Sequence, residues 1–515
     1  MNNYDDIPYP SLAYTDTHPN RLATLATLFG LKSPPIATSR ILELGCGDGT
    51  NLIAIAQTLP AAQCWGIDAA VTQINRGKQL IQAIPLTNIT LNALDFNDID
   101  ETWGTFDYII AHGIYSWISL PMQEVLLSLI KRHLAPNGIA YVSYNIYPGW
   151  HLENVVRDLM IYHTQQLPEV PFQLNMMQAK GILQFLTRLR QPADNAFEQL
   201  LNEKNEQLQT VDDNYLYHDF LASENHPVYF SQFIQHIAKH QLAYLTDIEF
   251  KRYLMLNFPP EVVEALEELF QGDEVRQEQY LDFFYNRTLR RSLLCHPENV
   301  TARKLHWAHL NQLLVTCALQ FSTATDDANS PMKFQTPNGE MATVTESWLK
   351  KMLIFLIDQA PKPVAVAELF QLVIQSTSST HEKSLLPASS TPSEETFVQA
   401  LASLYCQDIL EFYLYPQSYE TQWTNRPLAS PLARYQASQG RSPVINLRCE
   451  FINLTPVATT ILPHLNGEKN QSVLLTILKN LVKNKKIKLD KAEKNQLEVV
   501  LEQALREITD GGLLF

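Results

Sequence analysis

The chain has 515 residues, 45% of them hydrophobic and only 18% charged, a balance that can bury a core and excludes a wholly disordered polypeptide. At about 100–200 residues per domain, the length corresponds to about three or four units. With 39 Lys and Arg against 54 Asp and Glu, the formal net charge of −15 argues against nonspecific affinity for phosphate backbones and favours a basic partner if the partner is charged at all.

The N-terminal stretch MNNYDDIPYP is acidic and proline-containing where a secretion signal is basic and then apolar, and no apolar run approaches the ~18 residues that span a bilayer. Cytoplasmic residence without membrane insertion is expected. Cys46, Cys64, Cys295, Cys317, Cys406 and Cys449 lie far apart without a C-x-x-C pair, so they read as reduced, mostly buried thiols rather than a zinc cluster or a disulfide framework.

Residues 41–44, 64–67, 89–91, 108–111 and 139–142 each read as a buried strand, with helical patterns between them. The clearest helix covers 121–134, where Pro121 suits a first turn and Pro136-Asn137-Gly138 supplies the stop. This alternation predicts an α/β fold with an open parallel sheet, which binds ligands outside the carboxyl ends of its strands.

After the first strand comes Glu43-Leu44-Gly45-Cys46-Gly47-Asp48-Gly49. The glycines Gly45, Gly47 and Gly49 permit a sharp turn and close approach of a ligand to the backbone. The third glycine arrives one residue earlier than a dinucleotide site wants, and the carboxylate of Glu43 suits a cation better than a phosphate. The second strand ends in Asp68, placed to accept both hydroxyls of a ribose. The third ends in Asp95 and Phe96, a carboxylate and a ring for an adenine. The glycine loop and the strand-end acids together fit one ligand, S-adenosylmethionine (S-adenosyl-L-methionine).

This constellation resembles the class I S-adenosylmethionine-dependent methyltransferases. The resemblance implies that the glycine loop holds the methionine portion, that Asp68 binds the ribose and that Asp95 binds the adenine. The fourth strand runs into His112-Gly113-Ile114-Tyr115-Ser116-Trp117 and the fifth into Tyr144-Asn145-Ile146-Tyr147-Pro148-Gly149-Trp150. His112, Tyr115, Trp117, Tyr144 and Trp150 describe an acceptor channel for an amine, since aromatic faces tolerate a positive methyl donor and in-line displacement depends on positioning the nucleophile. His112 or Tyr115 could take the proton, directly or through water; a structural histidine and a Trp150 that packs the next helix are equally open readings. No Asp/Asn-Pro-Pro-Tyr/Phe signature follows the fourth strand, which weighs against methylation of DNA bases. Before the first strand, Tyr4, Pro8, Tyr9, Pro10, Tyr14 and His18 precede an amphipathic helix from about Asn20. That segment is either a lid over the cofactor, frequent in this class, or a tyrosine-rich surface terminus.

A closer resemblance rests on the opening Tyr-Asp-x-x-Pro-Tyr-Pro, ELGCG, HGIYSW, YVSYN-x-YPGW and YHDFLASENHPVYF. These are similar to bacterial proteins that join a methyltransferase to a methyltransferase regulatory domain, among them the rickettsial outer-membrane-protein lysine methyltransferases. The resemblance implies lysine N-methylation of a protein substrate with accessible lysines, without nucleic acid. Spacing and composition alone reach methyl transfer to an unspecified nucleophile. A small-molecule methyltransferase and a noncatalytic cofactor-binding scaffold therefore remain alternatives, and homo-oligomerisation stays open.

Beyond residue 165 the pattern is helical to about 213. Phe230, Phe233, Ile234 and Ile237 then recur on one face of a helix whose polar side carries His236 and His240; their spacing permits a metal, but without further ligands it reads as a solvated face and no metal is expected. Strand patterns at 242–245 and 292–295 suggest that this region completes the catalytic sheet. The expected division is thus a cofactor-binding methyltransferase core at 1–165, a regulatory or insertion region at 166–322 and a linker at 323–345. A winged-helix-like unit at 346–430, with a Ser/Thr/Pro-rich loop at 376–393, and a helical unit at 431–515 follow. The fold class is a Rossmann-like class I methyltransferase sheet with helical insertions and winged-helix-like and helical C-terminal units. The helix at 394–406 has no Lys or Arg, so protein contact is a better reading for the winged unit than DNA. A run of seven lysines between Lys479 and Lys494 reads as a solvated helix surface.

Overall fold

The computed structural model describes residues 5, 7–168, 170–189, 195–254, 258–300, 305–317, 319–323, 331–336, 339, 341–378, 391–416 and 419–515. In chain order the first half gives α1 (Pro19–Leu28), β1 (Arg40–Leu44), α2 (Thr50–Thr58), β2 (Gln63–Asp68), α3 (Val71–Ala83), β3 (Ile89–Ala93), β4 (Phe106–Ala111), α4 (Leu120–His133) and β5 (Leu134–Asn145). There follow α5 (Gly149–Gln165), α6 (Phe172–Leu189), α7 (Ala196–Gln209), α8 (Phe230–Lys239), β6 (Ala243–Asp247), α9 (Pro260–Phe270), α10 (Glu274–Tyr285) and β7 (Leu289–Cys295).

These strands form one seven-stranded sheet in the order β3-β2-β1-β4-β5-β7-β6. The first five are parallel, while β7 is antiparallel to both β5 and β6. Both faces are covered, as parallel strands require. Ile41, Tyr108, Ile110, Ile139 and Tyr141 face a core shared with α1 and α2. Leu42, Ile109, Ala140 and Val142 alternate to the opposite face and meet α4 and α8. Each such fully buried aliphatic side chain stabilises the fold by about 1.5–3 kcal/mol.

The residues of β6 and β7 hold the sheet's edge through a buried ion network. The guanidinium of Arg290 donates to Asp282 at 2.9 and 3.0 Å and to Glu278 at 2.7 Å, with Phe230 beneath it at 3.6 Å. Arg287 reaches Asp247 and Glu249, and Arg291 pairs with Asp16 and Glu249. A separate helical core gathers Val156, Met160, Met176, Leu183, Leu201 and Phe220.

In the C-terminal half, strands at Leu314–Cys317, Val364–Ala365 and Leu410–Tyr413 make a small antiparallel sheet with the first of them central. Helices Ser347–Gln359, Val366–Ser378 and Glu394–Cys406 accompany it. Its apolar residues, among them Val315, Leu353, Phe397 and Phe412, join the core beneath α1 and α2. Two sequence expectations need correction here. The central strand at 314–317 precedes the expected boundary at 346. The expected linker also contains strands: Met332–Gln335 pairs on one side with Gln320–Thr323 and on the other with Met341–Val344, and Phe334 is buried. Strands of four residues carry too little alternation to be read through a polar composition. Residues 324–330, 337, 338 and 340 of that segment, and 379–390 of the Ser/Thr/Pro-rich loop, lie outside the described residues.

Residues 429–514 form a further core of their own, including Leu462, Leu474, Leu501 and Ile508. It docks on α2 through the Ser430 hydroxyl, which donates to Gln57 at 2.8 Å. All six cysteines are free thiols, as the sequence predicts. Among the described residues no helix is long and apolar enough to cross a membrane.

Candidate active site

A cavity of about 360 Å³ lies at the carboxyl ends of β1 to β4. Gly45 and Gly47 line it, whereas Gly49 does not and stands behind the loop at the start of α2; the three have φ of 68°, 57° and 74°, the left-handed region that disfavours other residues. A Cβ on Gly45 would sit 2.1 Å from Ile114, and one on Gly49 2.7 Å from Leu91. A further glycine belongs to this turn. Gly77, inside α3, lets that helix approach so closely that a Cβ would lie 2.2 Å from the Asp48 carbonyl oxygen. Glycine within a helix costs about 1 kcal/mol relative to alanine, and close packing on the loop offsets that cost here.

Asp68 is placed by the loop itself. One carboxylate oxygen accepts the Gly47 N–H at 2.8 Å and the other accepts the Ala70 N–H at 2.8 Å. Burial raises its pKa, and the two backbone donors oppose that rise. Glu43 is buried at 4% exposure, and its Oε1 accepts the Asn51 side-chain amide at 2.8 Å. Its Oε2 is buried and meets no hydrogen-bond donor among the described residues. Burial first, then Asp48 and Asp68, pushes the Glu43 carboxyl up to about 8 from its ordinary 4.5. Asp95 is exposed at the cavity rim, capping a short turn by accepting the Asn97 N–H at 2.9 Å, and Phe96 beside it also lines the cavity.

The N-terminal segment crosses above the glycine loop as a strap. The Ser11 hydroxyl donates to Asp48, and the Tyr14 N–H donates to Asn51 at 2.8 Å. The Ile7 carbonyl meets His218 Nε2 at 2.7 Å, and the Pro8 carbonyl accepts from Asn214 at 3.1 Å. The Tyr14 ring also lies against that of His112, with centroids 3.8 Å apart and planes tilted by 36°. Tyr4 lies outside the described residues.

Not every aromatic residue expected in the acceptor channel reaches the cavity. His112 and Trp117 line it. Tyr115, Tyr144 and Trp150 do not line it and are corrected. Tyr115 turns into the core against Phe233, and Tyr144 stacks on the same ring at 3.8 Å, because β5 continues to Asn145 and its alternation points residue 144 at α8. Trp150 packs edge-on behind Trp117 at 5.8 Å. Burial, with the Arg291 charge, holds the His112 ring down to about 3, and its Nδ1 is engaged by the Tyr141 hydroxyl at 2.9 Å. A ring so hard to protonate is a poor proton acceptor and fits the structural reading.

Sequence reasoning missed one carboxylate on the acceptor side. The π-helical turn Tyr217–Leu221 brings His218 and Asp219 to the cavity. Burial pushes the Asp219 carboxyl up to about 6, opposed by a hydrogen bond from Tyr215 and by Arg157. The signal was present in the YHDF motif, where nothing marks which polar residue turns inward.

The cavity thus combines a left-handed turn that favours glycine, the buried Glu43 and half-buried Asp68 carboxyls for a cationic and hydroxyl-bearing ligand, and a rim acid with a ring. Glu43, which lines this space and has one buried oxygen without a donor among the described residues, fits the ammonium-bearing end of S-adenosylmethionine. Asp68 retains lone pairs for a ribose.

Comparison with known proteins gives three family matches: "Methyltransferase domain" over 42–140, "Predicted methyltransferase regulatory domain" over 212–296, and "PKMT, C-terminal winged helix domain" over 425–513. The last falls where the sequence suggested a helical unit, because its paired strands, Val444–Ile445 and Phe451–Ile452, are only two residues long. RP028 of Rickettsia prowazekii is 38% identical over 237 residues, covering 46% of this chain and 94% of that protein. RP789 of the same organism is 39% identical over 297 residues, covering 58% of this chain; the chain spans about half, 53%, of that relative's length. PKMT2 from Rickettsia typhi in complex with AdoHcy has a similar structure at a TM-score of 0.85 and 27% identity, covering 98% of this chain and 100% of that one.

Proposed function

Because the chain belongs to the rickettsial PKMT-like class I methyltransferases, which are S-adenosylmethionine-dependent, we propose that it methylates lysine side chains of a protein. The observation that carries this reading is that one cavity holds the glycine loop and strand-end acids on one side and Tyr14, Trp117 and Asp219 on the other. When bound, S-adenosylmethionine supplies an activated methyl group on a sulfonium.

The chain's own residues do the rest. Glu43 holds the ammonium, Asp68 the ribose hydroxyls, and Asp95 with Phe96 the adenine, while the loop glycines leave room for the ligand's backbone contacts. Tyr14 and Trp117 present rings to the cationic end of the reaction, where their faces attract positive charge. The incoming amine must be unprotonated to attack, and the attacking nitrogen sheds a proton after transfer. Asp219, shifted towards neutrality, is suited to receive that proton directly or through water. His112 orients Tyr14 through the contact between their rings. Positioning supplies most of the rate gain in such an in-line displacement.

The test is methyl transfer from labelled cofactor to a bacterial protein extract, followed by acid hydrolysis and identification of the labelled amino acid. Label in methyl-lysines is expected. Label confined to small metabolites would instead establish a small-molecule methyltransferase, and no transfer at all would establish a cofactor-binding scaffold.

A further inference from the structure

Outside the cavity, three side chains from two helices converge. Glu124 in α4 directs one carboxylate oxygen to His236 Nε2 at 3.0 Å and the other to His240 Nε2 at 2.7 Å. Their ligand-type atoms all lie within 4.8 Å of one another. We propose that Glu124, His236 and His240 form a zinc site that ties α8 to α4, with water completing the coordination.

Three observations support it. The histidines stand at i and i+4, so they share one helix face, and the carboxylate comes from the facing helix. Two imidazoles and a carboxylate, with an open position, form a donor set that Zn²⁺ accepts. His236 Nε2 is buried, and despite the nearby carboxylate it makes no well-aligned hydrogen bond, whereas its Nδ1 contacts the Tyr115 hydroxyl at 2.7 Å. An Nδ1–H donated to Tyr115 leaves the Nε2 lone pair facing an anion, an arrangement that a cation between them resolves. Metal-bound histidines are characteristically oriented through the other ring nitrogen in this manner. The neighbouring Lys239 works against a further cation, but its side chain is exposed and screened.

Tetrahedral bonds of about 2.0–2.1 Å separate ligand atoms by roughly 3.3 Å, so admitting the ion requires the present contacts to open by well under 1 Å. The consequence reaches the active site, because Tyr115 lies between cavity-lining Ile114 and Trp117. The site would fix the back of the acceptor wall.

The experiment titrates chelator-treated full-length protein with Zn²⁺, and with Co²⁺ for its visible absorption. One saturable site with a tetrahedral Co²⁺ spectrum is expected. His240→Ala and Glu124→Gln should each weaken Zn²⁺ binding by about 100-fold while leaving cofactor affinity and the metal-free melting curve unchanged. Wild-type protein that takes up no Zn²⁺, or binding that survives in either variant, would overturn the proposal.

Discussion

Glu43 offers a quantitative test of the cofactor site. With its carboxyl pushed up to about 8, roughly nine in ten unliganded molecules hold Glu43 protonated at pH 7. A ligand bringing an ammonium and a sulfonium into that space selects the ionised form, so binding must expel the proton. At pH 7 the ionisation costs about 1.4 kcal/mol, or about tenfold in affinity. Affinity should therefore rise about ninefold from pH 6 to 7 and about fivefold from 7 to 8, then level off. Calorimetry at pH 7 in two buffers of different ionisation enthalpy should report nearly one proton released per cofactor bound. Glu43→Gln should abolish the release and remove this part of the pH slope. Without ligand the sign is reversed: the folded state keeps the proton between pH 4.5 and about 8 while the unfolded chain loses it, so stability falls as pH rises through that window. Glu43→Gln should flatten that decline. Identical binding enthalpies in the two buffers, or an unchanged slope in the variant, would refute the assignment of Glu43 to the cationic end of the cofactor.

Asp68→Ala should weaken cofactor binding by about 10–100-fold, since hydrogen bonds to a charged acceptor contribute about 1.5–3 kcal/mol; calorimetry that shows unchanged affinity removes the ribose assignment. Gly77→Ala should cost about 1–3 kcal/mol through its clash with the Asp48 carbonyl, read as a lower urea midpoint together with weaker cofactor binding. Asp219→Asn should lower kcat while leaving cofactor affinity intact. It should also erase an acidic limb near pH 6 in the rate profile, and a profile unchanged in shape would exclude Asp219 as proton acceptor.

The central strands β1, β4 and β5 were legible because burial on both faces makes each read as a short aliphatic run, and the edge strand β3 because Ile89 and Leu91 alternate with exposed Thr90. The strand-end acids followed from topology, since parallel strands deliver the residue after each run to the same edge. The acceptor side obeys no such rule. Tyr144 looked like a loop residue because the apolar run weakens after Val142, yet the ladder continues and period-two alternation sends the ring inward. Tyr115 enters a tight turn whose direction depends on α8, over a hundred residues later. Gly77 has an unremarkable setting in sequence, and only the approach of the glycine loop explains it. Asp219 owes its orientation to one irregular helical turn, and Glu124 joins two histidines through tertiary packing that no local spacing announces.

The strap over the cavity joins the two sides of the site. It is fastened at Asp48 and Asn51 on the glycine-loop side, and on the other at His218, in the turn that carries Asp219, and at Asn214 just before that turn. A displacement of the strap at either end is therefore felt at both, at the glycine loop and beside the acceptor-side carboxylate, so the two halves of the cavity behave as one mechanical unit.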